Sequence, residues 1–470
     1  MRQVPNSGGR VSFDFRQILA AFLAQPGLPF ASVLSAERME RVFAKHNNLF
    51  GGRQIYSTAV MLWSFLAQVL RDGKEAACQA AVANIVSFNL QYGLPVPTSD
   101  TGDYCRARRK LSTLAIRDLT HEIAAEAEMQ ARDEWKWKGF SAKLIDGTTF
   151  TMPDTPANQA AFPQSGTQKQ GVGLPIARLV VVLSLATACV LDMALGRYAG
   201  KETGETALLR QMFNSLSPGD LLVMDRYYSS FLMLAQLRQR NVQACVRMHQ
   251  RRHLDFRRGK RLGAYDHLIA WTKGARPEWM DQATYDSLPE TLVMRELKYQ
   301  ITIPGRRTKQ LVIATTLLDA QQYSRAEIAT LYGFRWNSEL DIRSIKQSLN
   351  MAHARCLTPE MVVKEVWTRL LAYNLIRTTA ATSAALHDKQ PRQIGFTAVC
   401  QFVIARWMYA AGTAAPTTCL IFLEQISTCE VGNRPGRIEP RVLKRRLYGY
   451  KLMQEPRHVS KAKLLKGKNT

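Results

Sequence analysis

The sequence predicts an α/β protein: a mixed-sheet core with a β-rich insertion, preceded by a helical region and followed by further helices and a basic tail. Three observations carry this expectation. Residues 11–135 place apolar side chains at spacings of three and four, the helical pattern. From about residue 140, short apolar runs alternate with helical stretches. Between 250 and 318 the pattern shifts to every second residue, as on half-buried strands.

Taken in order, Phe13–Leu23 and Tyr56–Leu70 read as helices, with breaks at Gly51-Gly52 and over Gly93–Pro97. Thr98-Ser99-Asp100 is a good start for a helix holding Tyr104, Arg106, Arg108, Arg109 and Lys110. A basic helix led by a small bundle suits DNA contact, with Arg108 and Arg109 as candidates. A solvated basic face is the commoner origin of any single Arg cluster. Phe140–Ile145 is a short strand ending at Asp146-Gly147-Thr148-Thr149. Arg178–Ala188 and Val190–Tyr198 form a hairpin, and Glu205–Leu216 a helix. Leu221–Met224 is a strand ending at Asp225, followed by a helix over Ser229–Arg240 and a strand over Ala244–Met248. In the insertion, Leu297, Tyr299, Ile301 and Ile303 alternate with Lys298, Gln300 and Thr302, and Pro304-Gly305 turns into Gln310–Leu318. Residues 323–350 and 359–385 return to helix, and the segment to 430 is helical with loops.

Composition bounds the function. At 470 residues with 46% hydrophobic content the chain is globular rather than disordered. At roughly 150 residues per domain the length suits about two to four domains. The expected boundaries are a helical N-terminal domain over 1–138, a core over 139–385 with its insertion at 250–318, and a C-terminal region over 386–470. Lys and Arg number 63 against 38 Asp and Glu, a net charge of +25 that calls for an anionic partner, nucleic acid or membrane. Residues 434–470 hold twelve Lys/Arg against Glu439 and Glu455, a natural phosphate-binding arm. Nothing at the N-terminus resembles a signal peptide, and the apolar run Leu179–Leu191 is shorter than the roughly 20 residues of a membrane span. A cytoplasmic protein is expected, with reduced cysteines: none of the eight forms a CxxC pair. No phosphate-binding GxxxxGK[ST] loop is present.

Two aspartates carry the first chemical signal. Asp146 and Asp225 each end an apolar strand, where ligands of open α/β sheets gather. Two such carboxylates on neighbouring strands repel unless a cation lies between them, and oxygen-only ligation suits Mg²⁺ or Mn²⁺. A lone strand-end Asp can equally cap the next helix. A third carboxylate comes from the helix over 332–346. At about 100° per residue, Tyr332, Arg335, Glu339 and Lys346 fall within an arc of about 60°, with Arg343 close to it. Carboxylate, cations and phenol on one face suit a scissile phosphate beside a metal. A surface helix with an i,i+4 Arg335–Glu339 pair explains the same residues, and composition alone favours it.

The spacing Tyr332-x2-Arg335-x3-Glu339-x6-Lys346 resembles the Y-x2-R-x3-E-x6-K signature of the IS4 family of DDE transposases. Asp146 lies in a DGT segment and Asp225 in a DRYYS segment, similar to the family's first and second acidic motifs. Met152–Thr155, Asn158, Phe162–Gln164, Gln168-Lys169, Pro440-Arg441 and Lys444–Arg446 extend the likeness to about residues 40–455. The resemblance implies an RNase H-like core in which Asp146, Asp225 and Glu339 bind two Mg²⁺ or Mn²⁺ ions. It implies that Tyr332, Arg335 and Lys346 hold DNA near the cut, with Arg226 and Arg343 as further contacts. Lys444, Arg445 and Arg446 would bind DNA from the basic tail. The activity implied is cleavage at the terminal inverted repeats of an insertion sequence and transfer of the freed 3′-hydroxyl to target DNA. Double-stranded DNA would be the partner, a dimer is expected in the synaptic complex, and no membrane is expected. The resemblance departs at one point: Leu311 stands where hairpin-forming members carry a base-holding Trp, while Trp271 and Trp279 lie elsewhere in the insertion and suit packing. A non-catalytic repressor derived from a transposase and a structure-selective nuclease on the same core are the rival functions.

Overall fold

A computed structural model describes residues 33–51, 55–91, 93–300, 310–409, 416–432 and 453–466. The N-terminal part is helical: α1 Ala36–Lys45, α2 Thr58–Val69, α3 Cys78–Gln91, α4 Thr101–Lys110 and α5 Thr113–Met129. Four of these five starts are written locally, since the side chains of Ser35, Ser57, Asp100 and Ser112 accept from backbone N–H groups of the first turn. All twelve residues of α2 are buried, so it forms the bundle's centre, with Trp63 and Phe65 its largest buried side chains. Full burial of one such side chain contributes about 1.5–3 kcal/mol. The expected helix over Phe13–Leu23 lies outside the described residues.

The core begins with β1 Ala142–Thr151, then α6 Pro156–Ala161, β2 Ile176–Ser184, β3 Val190–Arg197, α7 Glu205–Gln211, β4 Leu221–Met224, α8 Phe231–Gln239 and β5 Gln243–Arg247. These strands lie side by side in the order β3-β2-β1-β4-β5. Only β2 runs against the others: β1–β2 and β2–β3 are antiparallel, β1–β4 and β4–β5 parallel. This mixed sheet, flanked by helices, is the α/β core expected from the sequence. Its strands alternate between two apolar layers. Leu144, Leu221 and Val223 face one, and Ile145, Leu222 and Met224 face the other.

The insertion supplies β6 Lys260–Gly263, β7 Asp266–Thr272, α9 Gln282–Ser287, β8 Thr291–Gln300 and β9 Gln310–Thr315. It does not form a separate sheet. β9 pairs antiparallel with β5, through Val246↔Ala314, and β8, β7 and β6 follow outward to a nine-stranded sheet. The expected Pro304-Gly305 turn lies outside the described residues. Inside the insertion, buried Arg295 pairs with Asp266 at 2.6 Å.

The chain then returns through α10 Arg325–Gly333, α11 Trp336–Arg343 and a π-helical turn Ser344–Ser348. α12 Pro359–Leu386 follows, capped by Thr358 with Pro359 in its first turn. α12 is buried along nearly its whole length because it lies between the N-terminal bundle and the sheet. Asn374 fixes it there: its amide exchanges hydrogen bonds with the Val190 backbone and donates to Thr120 O. α13 Phe396–Tyr409, α14 Pro416–Ser427 and α15 Arg457–Lys466 complete the described chain. Among the described residues no helix is long and apolar enough to cross a membrane.

Candidate catalytic centre

The parallel β1–β4 ladder places the two aspartates. Its last pair is Leu144↔Val223. Two residues further on in each chain segment, just past the end of this ladder, come Asp146 and Asp225. Both share the side-chain direction of Leu144 and Val223, so both face the layer that holds α10–α12. The expected strand end at Asp146 needs correction. β1 runs on to Thr151, because β2 continues to pair with it through Asp146↔Val181 and beyond. What stops near Asp146 is β4, which leaves that flank of β1 uncovered. Asp225 does end its strand, and its Oδ1 accepts from Arg226 N at 2.7 Å to start the turn Arg226–Tyr228.

The return helices close the centre. Tyr332–Lys346 is not one continuous helix, as the 100° rule assumed. α10 ends at Gly333, and the chain tightens at Phe334–Arg335 through Arg335 N→Tyr332 O and Ser338 N→Arg335 O, both three residues apart. The π turn then inserts extra backbone before Lys346. These adjustments still bring Arg335 and Lys346 of the signature to β1. Ser338, fully buried on α11, donates from Oγ to Asp146 Oδ2 at 2.7 Å. Arg335 lies 3.6 Å from Asp146 and 2.5 Å from Glu339. Lys346 Nζ donates to Thr149 O at 2.8 Å and Thr148 Oγ1 at 3.2 Å, just beyond Asp146 on the same strand. Tyr332 is buried at 6% exposure, so only its edge is available to a ligand.

Burial raises the Asp146 carboxyl above its ordinary value, although the Ser338 and Gly147 hydrogen bonds and the Arg335 charge oppose it. Burial also works against the charged Arg335, but its Glu339 hydrogen bond and the nearby Tyr332 and Asp146 keep the guanidinium more basic than usual. Lys346 is lowered by burial. Behind this face, Asp341 on α11 is 1% exposed and takes Arg377 at 2.7 Å and Arg392 at 2.8 Å, which anchors the helix that bears Glu339. Ser338, Asp341 and Glu205, a neighbour of both aspartates, were not singled out from sequence. Only the adjacency of Ser338 and Asp341 to Glu339 marks those two.

The remaining candidates divide. Arg226 donates to Gln250 at 2.8 Å and lines a cavity of about 250 Å³ with Arg247, His249 and Arg252. Arg343 is exposed on α11 and makes none of the hydrogen bonds that join the centre. Arg109 is exposed. Arg108 needs correction. Its guanidinium turns inward, donates to Gln68 at 2.6 Å and lies over Phe65 and Tyr104, so it serves the helical bundle instead of an outer surface. Lys444, Arg445 and Arg446 lie outside the described residues. Trp271 is buried, donates to Glu296 and carries Arg252 on its face, as packing requires. Trp336 is 51% exposed.

A divalent metal suits this donor set. Asp146, Asp225 and Glu339 offer only carboxylate oxygens, the ligands of hard cations. As the side chains stand, no three His, Cys, Asp or Glu of the described residues are gathered into an ion-binding group. Glu339 is engaged by Arg335, which supplies the positive charge beside Asp146.

Comparison with known proteins identifies a family. The family model of the transposase DDE domain matches residues 137–375, just over half of the chain. Transposase InsG for insertion sequence element IS4, from Escherichia coli (strain K12), is 25% identical over 442 residues, covering 91% of this chain and 94% of that protein. The cryo-EM structure of the piggyBac transposase synaptic complex with hairpin DNA aligns with 91% of this chain and 87% of its own at 9% identity. The TM-score of that alignment is 0.41.

Proposed function

The chain belongs to the transposase DDE domain family, a family of enzymes that cleave and transfer DNA, and from that premise we propose that it is the IS4-type transposase of an insertion sequence. It binds the element's terminal inverted repeats, cuts the phosphodiester at each end and joins the freed 3′-hydroxyl to target DNA. The observation that carries this reading is the meeting of Asp146 with Ser338, Arg335 and Glu339 beside the strand end that bears Asp225.

Asp146, Asp225 and Glu339 would hold the Mg²⁺ or Mn²⁺ ions, two in number. Such a pair activates the attacking water and stabilises the leaving 3′-oxygen. The protein's own residues do the rest. In the DNA-free chain Arg335 neutralises Asp146 and Glu339. On a DNA end it would turn to a phosphate and leave the Glu339 carboxylate free. Lys346, fixed on β1 through Thr149 O, would meet the phosphate beside Asp146. Arg226, and the arginines that line the cavity beside it, track the backbone on the insertion side. The helical region over 1–138 and the basic region over 386–470 bind the element ends, with Arg109 and the tail as phosphate contacts. Pairing of two ends favours a dimer in the DNA complex.

The test is a nicking assay on plasmid carrying the element ends. Asp225→Ala and Glu339→Ala should abolish Mg²⁺-dependent cleavage and leave end binding largely intact. Metal-dependent nicking that survived either change would remove the triad from the mechanism.

A further inference from the structure

Glu205 opens α7, between the two motifs that carry the aspartates. The side chain that Gly147 lacks would point away from Asp146, to the opposite face of the sheet. A Cβ built there would meet the Glu205 carboxyl, with Cδ at 2.6 Å and Oε1 at 2.7 Å. Glu205 therefore fills a notch that only glycine leaves open on β1. Its Oε2 accepts from the Tyr228 hydroxyl at 3.4 Å. Tyr228 is fully buried and closes the turn that follows Asp225. One carboxyl thus touches the strand immediately after Asp146 and the turn immediately after Asp225. Its charged neighbours are Asp146, Asp225 and Arg178.

We propose that Glu205 is a positioning residue of the catalytic centre: lodged against Gly147 and holding Tyr228, it ties the Asp146 strand to the Asp225 turn from behind the sheet. The proposal rests on the metal-centre reading above. Seated on the far face, Glu205 acts through the two aspartates. Its shape and hydrogen-bond acceptor matter, and its charge does not. It also gives the glycine of the DGT segment a physical role.

The test is Mn²⁺ binding to the DNA-free full-length protein, followed by electron paramagnetic resonance, with nicking and end binding measured alongside. Groups that orient metal ligands typically cost about 10- to 100-fold in metal affinity when removed. Glu205→Ala should weaken Mn²⁺ binding and cleavage by about tenfold or more, with end binding unchanged. Glu205→Gln keeps an oxygen for Tyr228 and should stay within about threefold of wild type. Wild-type Mn²⁺ affinity in Glu205→Ala overturns the proposal, and so does an equal loss in both variants. If Glu205→Ala does not fold, Tyr228→Phe removes the same hydrogen bond from the other side. It should weaken Mn²⁺ binding, and an unchanged affinity overturns the proposal. Asp225→Asn separates this from the larger reading: undiminished Mn²⁺ binding there refutes the metal centre itself. Loss in Asp225→Asn with none in Glu205→Ala refutes only the role of Glu205.

Discussion

Replacing Ser338 by alanine removes one atom from the heart of the proposed centre. Ser338 is fully buried, and its hydroxyl lies 2.7 Å from Asp146 Oδ2 and 2.7 Å from Arg335 O. Beyond this bond, Asp146 accepts from Gly147 N at 2.9 Å and faces Arg335 at 3.6 Å. A hydrogen bond to a charged group contributes about 1.5–3 kcal/mol, and nothing in alanine replaces it. The loss falls on the ionised form of Asp146, which is the form that binds metal. At about 1.4 kcal/mol per factor of ten, the apparent Mg²⁺ affinity should drop by about 10- to 100-fold. End binding should hold, because Ser338 is closed to solvent. The assay is plasmid nicking across a Mg²⁺ titration, with end binding measured by gel shift. The expected result is a rightward shift of the Mg²⁺ curve that high Mg²⁺ largely restores. A Mg²⁺ curve identical to wild type would refute the link between Ser338 and the metal-binding state of Asp146.

Other expectations follow from neighbouring contacts. Asp341→Ala leaves buried Arg377 and half-buried Arg392 without their shared partner. It should cost about 3–5 kcal/mol in chemical denaturation, and a loss under 1 kcal/mol by that roughly estimated scale would contradict the anchoring role. Arg108→Ala should lower thermal stability and leave the salt dependence of DNA binding unchanged. Arg109→Ala should do the reverse and flatten the log K against log salt slope by about one. Because burial raises the folded-state Asp146 carboxyl, the stability it contributes is complete below its unfolded pKa. That stability is lost as pH rises through the folded value. Asp146→Asn should therefore raise the melting temperature in EDTA at about pH 7, with the gap closing toward about pH 4. Equal melting temperatures across that range would contradict it. Deleting residues 434–470 should weaken DNA binding and flatten its salt slope, and an unchanged slope would remove the arm's role.

The sequence already showed the succession of core strands along the chain, the aspartates on two of them and the helix bearing Glu339. Each of these is written locally, in apolar runs, turn residues and spacing. What it did not show depends on contacts distant in the chain. β1 outruns Asp146 because β2, some thirty residues later, keeps pairing with it. Nothing in Phe140–Thr149 records that partner. The insertion reads as an interruption, yet the pairing of β9 with β5 makes it an extension of the core sheet. The π turn before Lys346 leaves no side-chain signature, so a regular helix was the natural expectation. Arg108 and Arg109 are adjacent and chemically alike, and only the packing of α4 against Phe65 and Gln68 turns one inward. Ser338 and Glu205 look in sequence like an ordinary helix hydroxyl and an ordinary first-turn acid. Their roles appear once Gly147 and Asp146 are seen beside them.

The central claim, that Asp225 belongs to a metal centre which cuts DNA, is tested most directly by changing the donor atom. In Asp225→Cys a thiolate replaces a carboxylate oxygen, and sulfur is a poor ligand for hard Mg²⁺ but a better one for softer divalent ions. The account predicts that Asp225→Cys does not nick element-end DNA in Mg²⁺ and regains part of its cleavage in Mn²⁺, with end binding intact throughout. Wild-type cleavage by Asp225→Cys in Mg²⁺ would contradict it.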